Sequence, residues 1–369
     1  MTAIDFRAGL NRKGAALGIA FFLACGLAMA QTAPKFKVLG FSTTTSDVGH
    51  ISYEREANRW LPTIAKQYGF SYDSTKVWSD CNLANLSKYQ VVIFMDERPE
   101  DPAQREAFKK YMDNGGGWIG CHGSAFAMAN SGQPMNWDWY HNTLIGAGEY
   151  KSNTWRPTSA FLKREDSTHA FMAGLPALFK SSPNEWYRWK VDLKTKPDIK
   201  ILLSIDPTSF PLGTGPKDYE IWRSGYYPVV WTNRNYKMMY VNMGHNDIDY
   251  EGGTNKELSF QFNNEIQNKL ILDGVLWMGG VQPVHAWKPA RSPSRPGMDV
   301  RVGAGRFTVS RPGAGDFGIS ILDLQGNRIA EGGTATGVYS FDMGRFARGT
   351  YVVRTNSASG PLILALSLP

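Results

Sequence analysis

Cysteine is scarce in this chain, and so are the motifs that usually announce a cofactor. Three cysteines occur in 369 residues, Cys25, Cys81 and Cys121. No G-x-G-x-x-G, P-loop or other Gly-rich phosphate cradle follows the first expected strand, which argues against a nucleotide site. No H-E-x-x-H pair is present, so any metal would have to be gathered by tertiary convergence. The acidic run Asp247-Ile248-Asp249-Tyr250-Glu251 lacks EF-hand spacing and reads as a solvated loop. No pair of close acidic residues marks an ordinary glycoside hydrolase. The one N-terminal apolar run, Ala15 to Leu27, is too short for a comfortable membrane span. It follows Arg12-Lys13 and precedes Ala28-Met29-Ala30, the order of a secretory signal over residues 1–30 with Gln31 as mature start. The expectation is an exported protein, periplasmic, cell-surface or extracellular, with no transmembrane span in the mature chain. Cys25 would leave with the signal. An oxidising compartment could then pair Cys81 with Cys121, although the sequence does not say whether they are close.

The net charge of +7 is unevenly spread. Residues 1–30 hold three basic residues against one acid, and residues 281–369 hold ten against five. The stretch between them is neutral, which leaves the main domain no electrostatic case for nucleic acid.

Phe36 to Ser42 reads as a first strand, buried on both faces. A helical pattern starts at Ser52 and recurs at Ala57, Trp60, Leu61, Ile64, Ala65 and Tyr68. Pro62 falls inside it and predicts a kink or split. Val77-Trp78 suggests a short strand and Tyr89 to Met95 a strong one, ending at Asp96-Glu97. Asp101-Pro102 is a helix start, with Asp as N-cap and Pro at the first helical position. Gly115-Gly116-Gly117 ends that helix, and Trp118-Ile119 leads into a tight turn at Gly120-Cys121-His122-Gly123. From Asn130 to Pro216 the regular signal fades. Strands follow at Ile201 to Ile205, Tyr227 to Trp231 and Met238 to Met243, with a closing helix from Phe260 to Met278. Strands alternating with helices predict a mainly parallel sheet flanked by helices. Val281 to Met298, with four prolines, reads as an extended linker, residues 281–300 in domain terms. Short alternating strands with Gly and Asn turns then predict a small β-sandwich over 301–369.

Of six histidines, three stand just after predicted strands: His50, His122 and His245. Parallel strands would bring all three to one rim of the sheet, where open α/β sheets hold their ligands. A histidine at such a place can also be a plain hydrogen-bonding residue, and then the three need not meet. Imidazole suits general acid and base work near neutral pH. Glu185, in a loop with Trp186, Tyr187 and Trp189, could orient one of them or share in proton transfer. The same groups could instead hold a divalent metal, with His50, His122 and His245 as candidate ligands. Trp137, Trp139, Tyr140, Trp186 and Tyr187 supply rings for a sugar face, with Asn246 among the groups for hydroxyls. Each such ring could equally bury a loop against the sheet.

These landmarks carry a resemblance. Gly115-Gly116-Gly117-Trp118-Ile119-Gly120-Cys121-His122 resembles the signature of the ThuA-like (trehalose-utilisation) family. Asn136-Trp137-Asp138-Trp139-Tyr140 before Ile145-Gly146-Ala147, Asn184-Glu185-Trp186-Tyr187, Pro228-Val229-Val230-Trp231 and Met243-Gly244-His245 follow in the family's order, across about residues 36–280. The resemblance implies a flavodoxin-like domain, similar to class I glutamine amidotransferases, over 31–280. It implies that His50, His122, His245 and Glu185 share one cleft, and that the activity lies in carbohydrate catabolism, on glycosides or keto-sugars. The amidotransferase elbow is a Cys, whereas here it matches His122. Cys121 lies one residue earlier and so points to the other face, which argues against amidotransferase activity. Many relatives have a His shortly after Ile145-Gly146-Ala147. This chain offers Glu149 there. The tail, with Leu322-Asp323-Leu324-Gln325-Gly326 and Gly349-Thr350-Tyr351, resembles a type IX secretion sorting domain, which implies a contact with export machinery. A non-catalytic carbohydrate-binding protein at the cell surface is the alternative.

Overall fold

The computed structural model describes residues 33–282 and, with short gaps, 298–368. The expected signal segment and most of the expected linker lie outside the described residues. In chain order the first elements are β1 (Lys37–Phe41), α1 (Val48–Tyr68), β2 (Ser71–Thr75), α2 (Leu83–Leu86), β3 (Val91–Phe94), α3 (Pro102–Asp113) and β4 (Gly117–Cys121). Then come β5 (Tyr150–Asn153), β6 (Phe161–Arg164), β7 (Leu178–Lys180), β8 (Tyr187–Trp189), β9 (Ile199–Ile205), β10 (Pro228–Asn233), β11 (Met238–Val241) and α4 (Glu265–Met278). Nine of these strands form one sheet in the order β2-β1-β3-β4-β11-β10-β9-β6-β7. The first five run parallel, and the other four extend the sheet antiparallel. β5 and β8 pair separately as a short antiparallel ribbon.

Both faces of the parallel strands are covered, as their unbroken apolar runs require. Val38, Val91, Ile93, Ile119, Met239 and Val241 face α1 and α4. Leu39, Val92, Phe94, Trp118, Met238 and Tyr240 face the other way, onto α3 and Tyr140. Cys121 lies in the first layer and Cys81 in the second. Both are free thiols, so the pairing that an oxidising compartment would allow is not made.

The helix starts follow local chemistry. The Asp101 carboxylate accepts from the amides of Ala103 and Gln104, as expected for a cap followed by proline. α1 departs from expectation. It starts at Val48 because Asp47 caps it, accepting from Gly49 N at 2.8 Å, and it runs through Pro62 as one helix. His50 is therefore in the first turn of α1 rather than in a loop. The strand expected at Val77-Trp78 is instead β2, a few residues earlier, followed by a single helical turn at Trp78–Asp80. α4 begins at Glu265, after a separate turn at Gln261–Asn263.

Beyond residue 298 the strands are β12 (Asp299–Gly303), β13 (Arg306–Ser310), β14 (Phe317–Leu322), β15 (Arg328–Thr334), β16 (Val338–Asp342), β17 (Gly349–Ser357) and β18 (Leu362–Leu368). They form antiparallel sheets β12-β13-β16 and β15-β14-β17-β18. Phe307, Val309, Ile319, Ile321, Phe341 and Val353 fill the core they share, as in the expected sandwich.

Candidate active site

Five chemical groups sit just beyond the C-terminal ends of parallel strands. The loop after β1 supplies Asp47 and the first turn of α1 supplies His50, while Asp96 follows β3, His122 follows β4 and His245 follows β11. Because β11 returns to lie parallel beside β4, the two histidines that follow these strands emerge together. The ring centroids of His50 and His245 are 4.7 Å apart, those of His50 and His122 are 5.0 Å apart, and those of His122 and His245 are 5.9 Å apart. The histidines do meet, so three separate structural histidines do not describe this chain.

His122 follows β4 in a left-handed conformation, φ 40°, which is rare for a residue with a side chain and is concentrated at functional turns. Two buried phenols pin the turn. Tyr240 donates to the carbonyl of His122 at 2.9 Å, and Tyr140 donates to that of Ser124 at 2.9 Å. Gly123 is needed for closeness: a Cβ there would meet an Asp96 carboxylate oxygen at 2.2 Å. Gly49 is similar, since a Cβ would sit 2.3 Å from the His245 ring.

Glu185 reaches the cluster from the loop before β8. Asn184 anchors that loop, donating to Asn242 O at 2.7 Å and accepting from the amides of Gly244 and His245. Asn242 in turn brackets Tyr187, donating to its carbonyl and accepting from its amide. Glu185 Oε2 lies 3.4 Å from His122 Nε2, and Glu185 Oε1 accepts from Asn153 of β5. Tyr187 stacks on His122 with centroids 3.8 Å apart.

Each remaining imidazole has its own carboxylate. His50 Nδ1 lies 2.7 Å from Asp96 Oδ1 and 2.7 Å from Ser46 Oγ. His245 Nε2 lies 3.3 Å from Asp47 Oδ1, and Asp47 also accepts from the Tyr250 phenol. Nδ1 of both His122 and His245 is buried without a partner. The cluster opens to solvent past Asp47, whose side chain is 47 % exposed.

The environments push the imidazoles apart. Burial drives His122 down to about 4, with Glu185 opposing only in part, so His122 is neutral at neutral pH. Burial also works against the charged form of His50, but Asp96 outweighs it and raises this group to about 9. A raised folded-state value means the pair stabilises the fold fully below the ordinary imidazole value of 6.5, and that this stability is lost as pH rises through about 9. The thermal midpoint is expected to fall across that window, and to fall less in Asp96→Asn. Equal slopes in the two proteins would remove the pair from the account.

Cys121 is no nucleophile. It faces away from the turn, accepts from the Tyr53 hydroxyl at 3.4 Å, and burial pushes its thiol up to about 12. The groups proposed for sugar contact divide. Tyr187 is at the cluster. Tyr140 and Trp137 stack with centroids 4.5 Å apart in the layer beneath α3, where Trp139 donates to the Tyr236 hydroxyl. Trp186 is fully buried in the other layer and donates to Thr158 O at 2.9 Å. Asn246 is also fully buried, donating to Ser52 Oγ and accepting from Gln261 N. Glu149 is occupied as a latch, bonded to Ala129 N and paired with Lys190 at 2.7 Å.

Sequence reasoning missed Asp47, Asp96, Asn153 and Tyr250. Asp96 carried the signal that found His122, a polar residue at the end of a strong strand. Asn153 and Tyr250 carried none, because weakly patterned loops deliver them. Among the described residues, one group is arranged to hold a metal ion: His50, Glu185 and His245 each bring a ligand atom, all within 4.8 Å of one another.

An open α/β sheet covered on both faces, with a histidine and carboxylate centre at its strand ends and no usable cysteine, defines a flavodoxin-like domain whose elbow carries a histidine. Comparison with known proteins makes this specific. The family described as ThuA, Trehalose utilisation, matches residues 37–278, and the chain belongs to that family. It is similar to a putative ThuA-like protein of Bacteroides uniformis at 30% identity and TM-score 0.59, over 68% of this chain and 96% of that one. A putative ThuA-like protein of Parabacteroides merdae is similar at 19% identity and TM-score 0.48, over 70% and 96%. No curated protein matches the chain.

Proposed function

We infer that this protein is a carbohydrate-active enzyme that moves a proton beside a carbonyl of a keto-sugar or oxidised glycoside. The observation that carries the reading is the meeting of three imidazoles and Glu185 in one nearly closed cluster. His122, stacked on Tyr187 and facing Glu185, takes the proton from carbon. The electron pair moves to the carbonyl oxygen, which His50, held through its other nitrogen by Asp96, binds as donor. Return of the proton from His122 restores the enzyme. The sugar class rests on the family's description together with the ring chemistry near the mouth, where Tyr150 lies against Tyr187 and Trp155 lies near Tyr250. Aromatic faces of this kind suit the C–H surfaces of a pyranose.

Export is part of the same reading. The leader over residues 1–30 would be removed, and the C-terminal sandwich would be the part that export machinery handles. No helix among the described residues is long and apolar enough to cross a membrane.

The test is wild-type protein incubated in D2O with a panel of glycosides and keto-sugars, followed by NMR. Deuterium entering the carbon next to a carbonyl is the expected result. Sugar binding without exchange or turnover would replace the enzyme with a non-catalytic binding protein.

A further inference from the structure

We propose that His50, Glu185 and His245 form a binding site for one divalent transition-metal ion, with Asp96, Asn153 and Asp47 as the groups that aim the ligands. The proposal deepens the reading above, since the ion would take over as electrophile next to His122. It stands on geometry. Each of the three side chains offers one donor atom within 4.8 Å of the others. Bonds of about 2.0–2.2 Å to imidazole and carboxylate place donors roughly 3–4 Å apart around an ion, so only a slight contraction is required.

Three further observations point to a cation. First, ligating histidines are typically fixed through their other nitrogen, and His50 has Nδ1 against Asp96 and Ser46 at 2.7 Å each. Second, His245 has Nε2 near Asp47 while Nδ1 is buried without a partner, leaving donor capacity unspent in the protein. Third, Glu185 is oriented by Asn153 on one oxygen while the other faces inward toward His122. Three carboxylates, Asp47, Asp96 and Glu185, surround the imidazoles, a balance that a divalent cation completes.

The donor set selects the ion. Two imidazoles and one carboxylate suit Zn²⁺, Fe²⁺, Mn²⁺ or Co²⁺, whereas Mg²⁺ and Ca²⁺ prefer oxygen ligands throughout. Three protein ligands also leave positions open for water or a sugar oxygen. His122 is outside the trio and keeps its nitrogen for the proton.

The experiment uses the full chain, stripped with chelator and titrated with Co²⁺ while its visible absorption is followed, with Zn²⁺ as competitor. Wild type is expected to take up one Co²⁺ per chain, with a d–d spectrum that Zn²⁺ abolishes. Glu185→Gln and His245→Gln should lose that spectrum, and Asp96→Asn should bind about 10-fold or more weakly. Circular dichroism identifies any variant that fails to fold, and the other variants then decide. Folded wild type without a Co²⁺ spectrum, or folded Glu185→Gln with an unchanged one, overturns the site. Deuterium exchange by stripped enzyme that takes up no Co²⁺ would retire the metal and keep the acid–base reading. Stoichiometric Co²⁺ with no exchange on any sugar would keep the metal and retire that reading.

Discussion

Replacing His122 by asparagine is expected to lower kcat/KM by about 10²–10⁴-fold, the usual weight of a positioned acid–base group. Asparagine is chosen for the backbone. His122 sits at φ 40°, and asparagine tolerates the left-handed region better than almost any other residue with a side chain. The turn can therefore persist, with Tyr240 and Tyr140 still donating to its carbonyls. What disappears is an imidazole that is neutral at neutral pH and aimed at Glu185. An amide cannot accept a proton in its place. Sugar affinity and thermal midpoint should change little, because Tyr187 and the phenol contacts remain. Turnover within a few-fold of wild type would remove His122 from the chemistry.

Trp186→Ala should act on stability instead. The indole is fully buried among the side chains packed between the sheet and α1 and α4, and its N–H is used on Thr158 O. Removing so large a buried ring costs about 3–5 kcal/mol. In a domain of this size that lowers the unfolding midpoint by on the order of 10 °C. The effect should appear without ligand and be the same with or without sugar. An unchanged midpoint with lost sugar affinity would restore Trp186 to the binding face that its neighbours Glu185 and Tyr187 suggest.

That contrast marks what the sequence could convey. Strands buried on both faces leave unbroken apolar runs, so β1, β3, β4 and β11 were legible, and with them the ends that carry His122 and His245. The role of each ring was not. Trp186 and Tyr187 are adjacent, yet Trp186, just before β8, packs into one layer of the core, and Tyr187, the first residue of β8, lies in the other and stacks on His122. The Asp47 cap shows the same limit. The helix pattern reads from Ser52, whereas the actual start is set by one carboxylate and lies four residues earlier, at Val48. Loop residues such as Asn153 and Tyr250 act only through the tertiary path that brings them near, and that path leaves no periodic trace.

The placement of β11 also bears on when this protein can act. His50 belongs to the first helix of the domain and His245 follows β11, the last strand of the large sheet, which the sheet order puts between β4 and β10. A chain cut or stalled before β11 has most of its residues but a sheet with an unfilled slot and no assembled centre. The centre thus reports that the chain has been made and kept through β11, because no product that ends earlier contains it. If the polypeptide travels unfolded to its compartment, its chemistry stays silent until arrival.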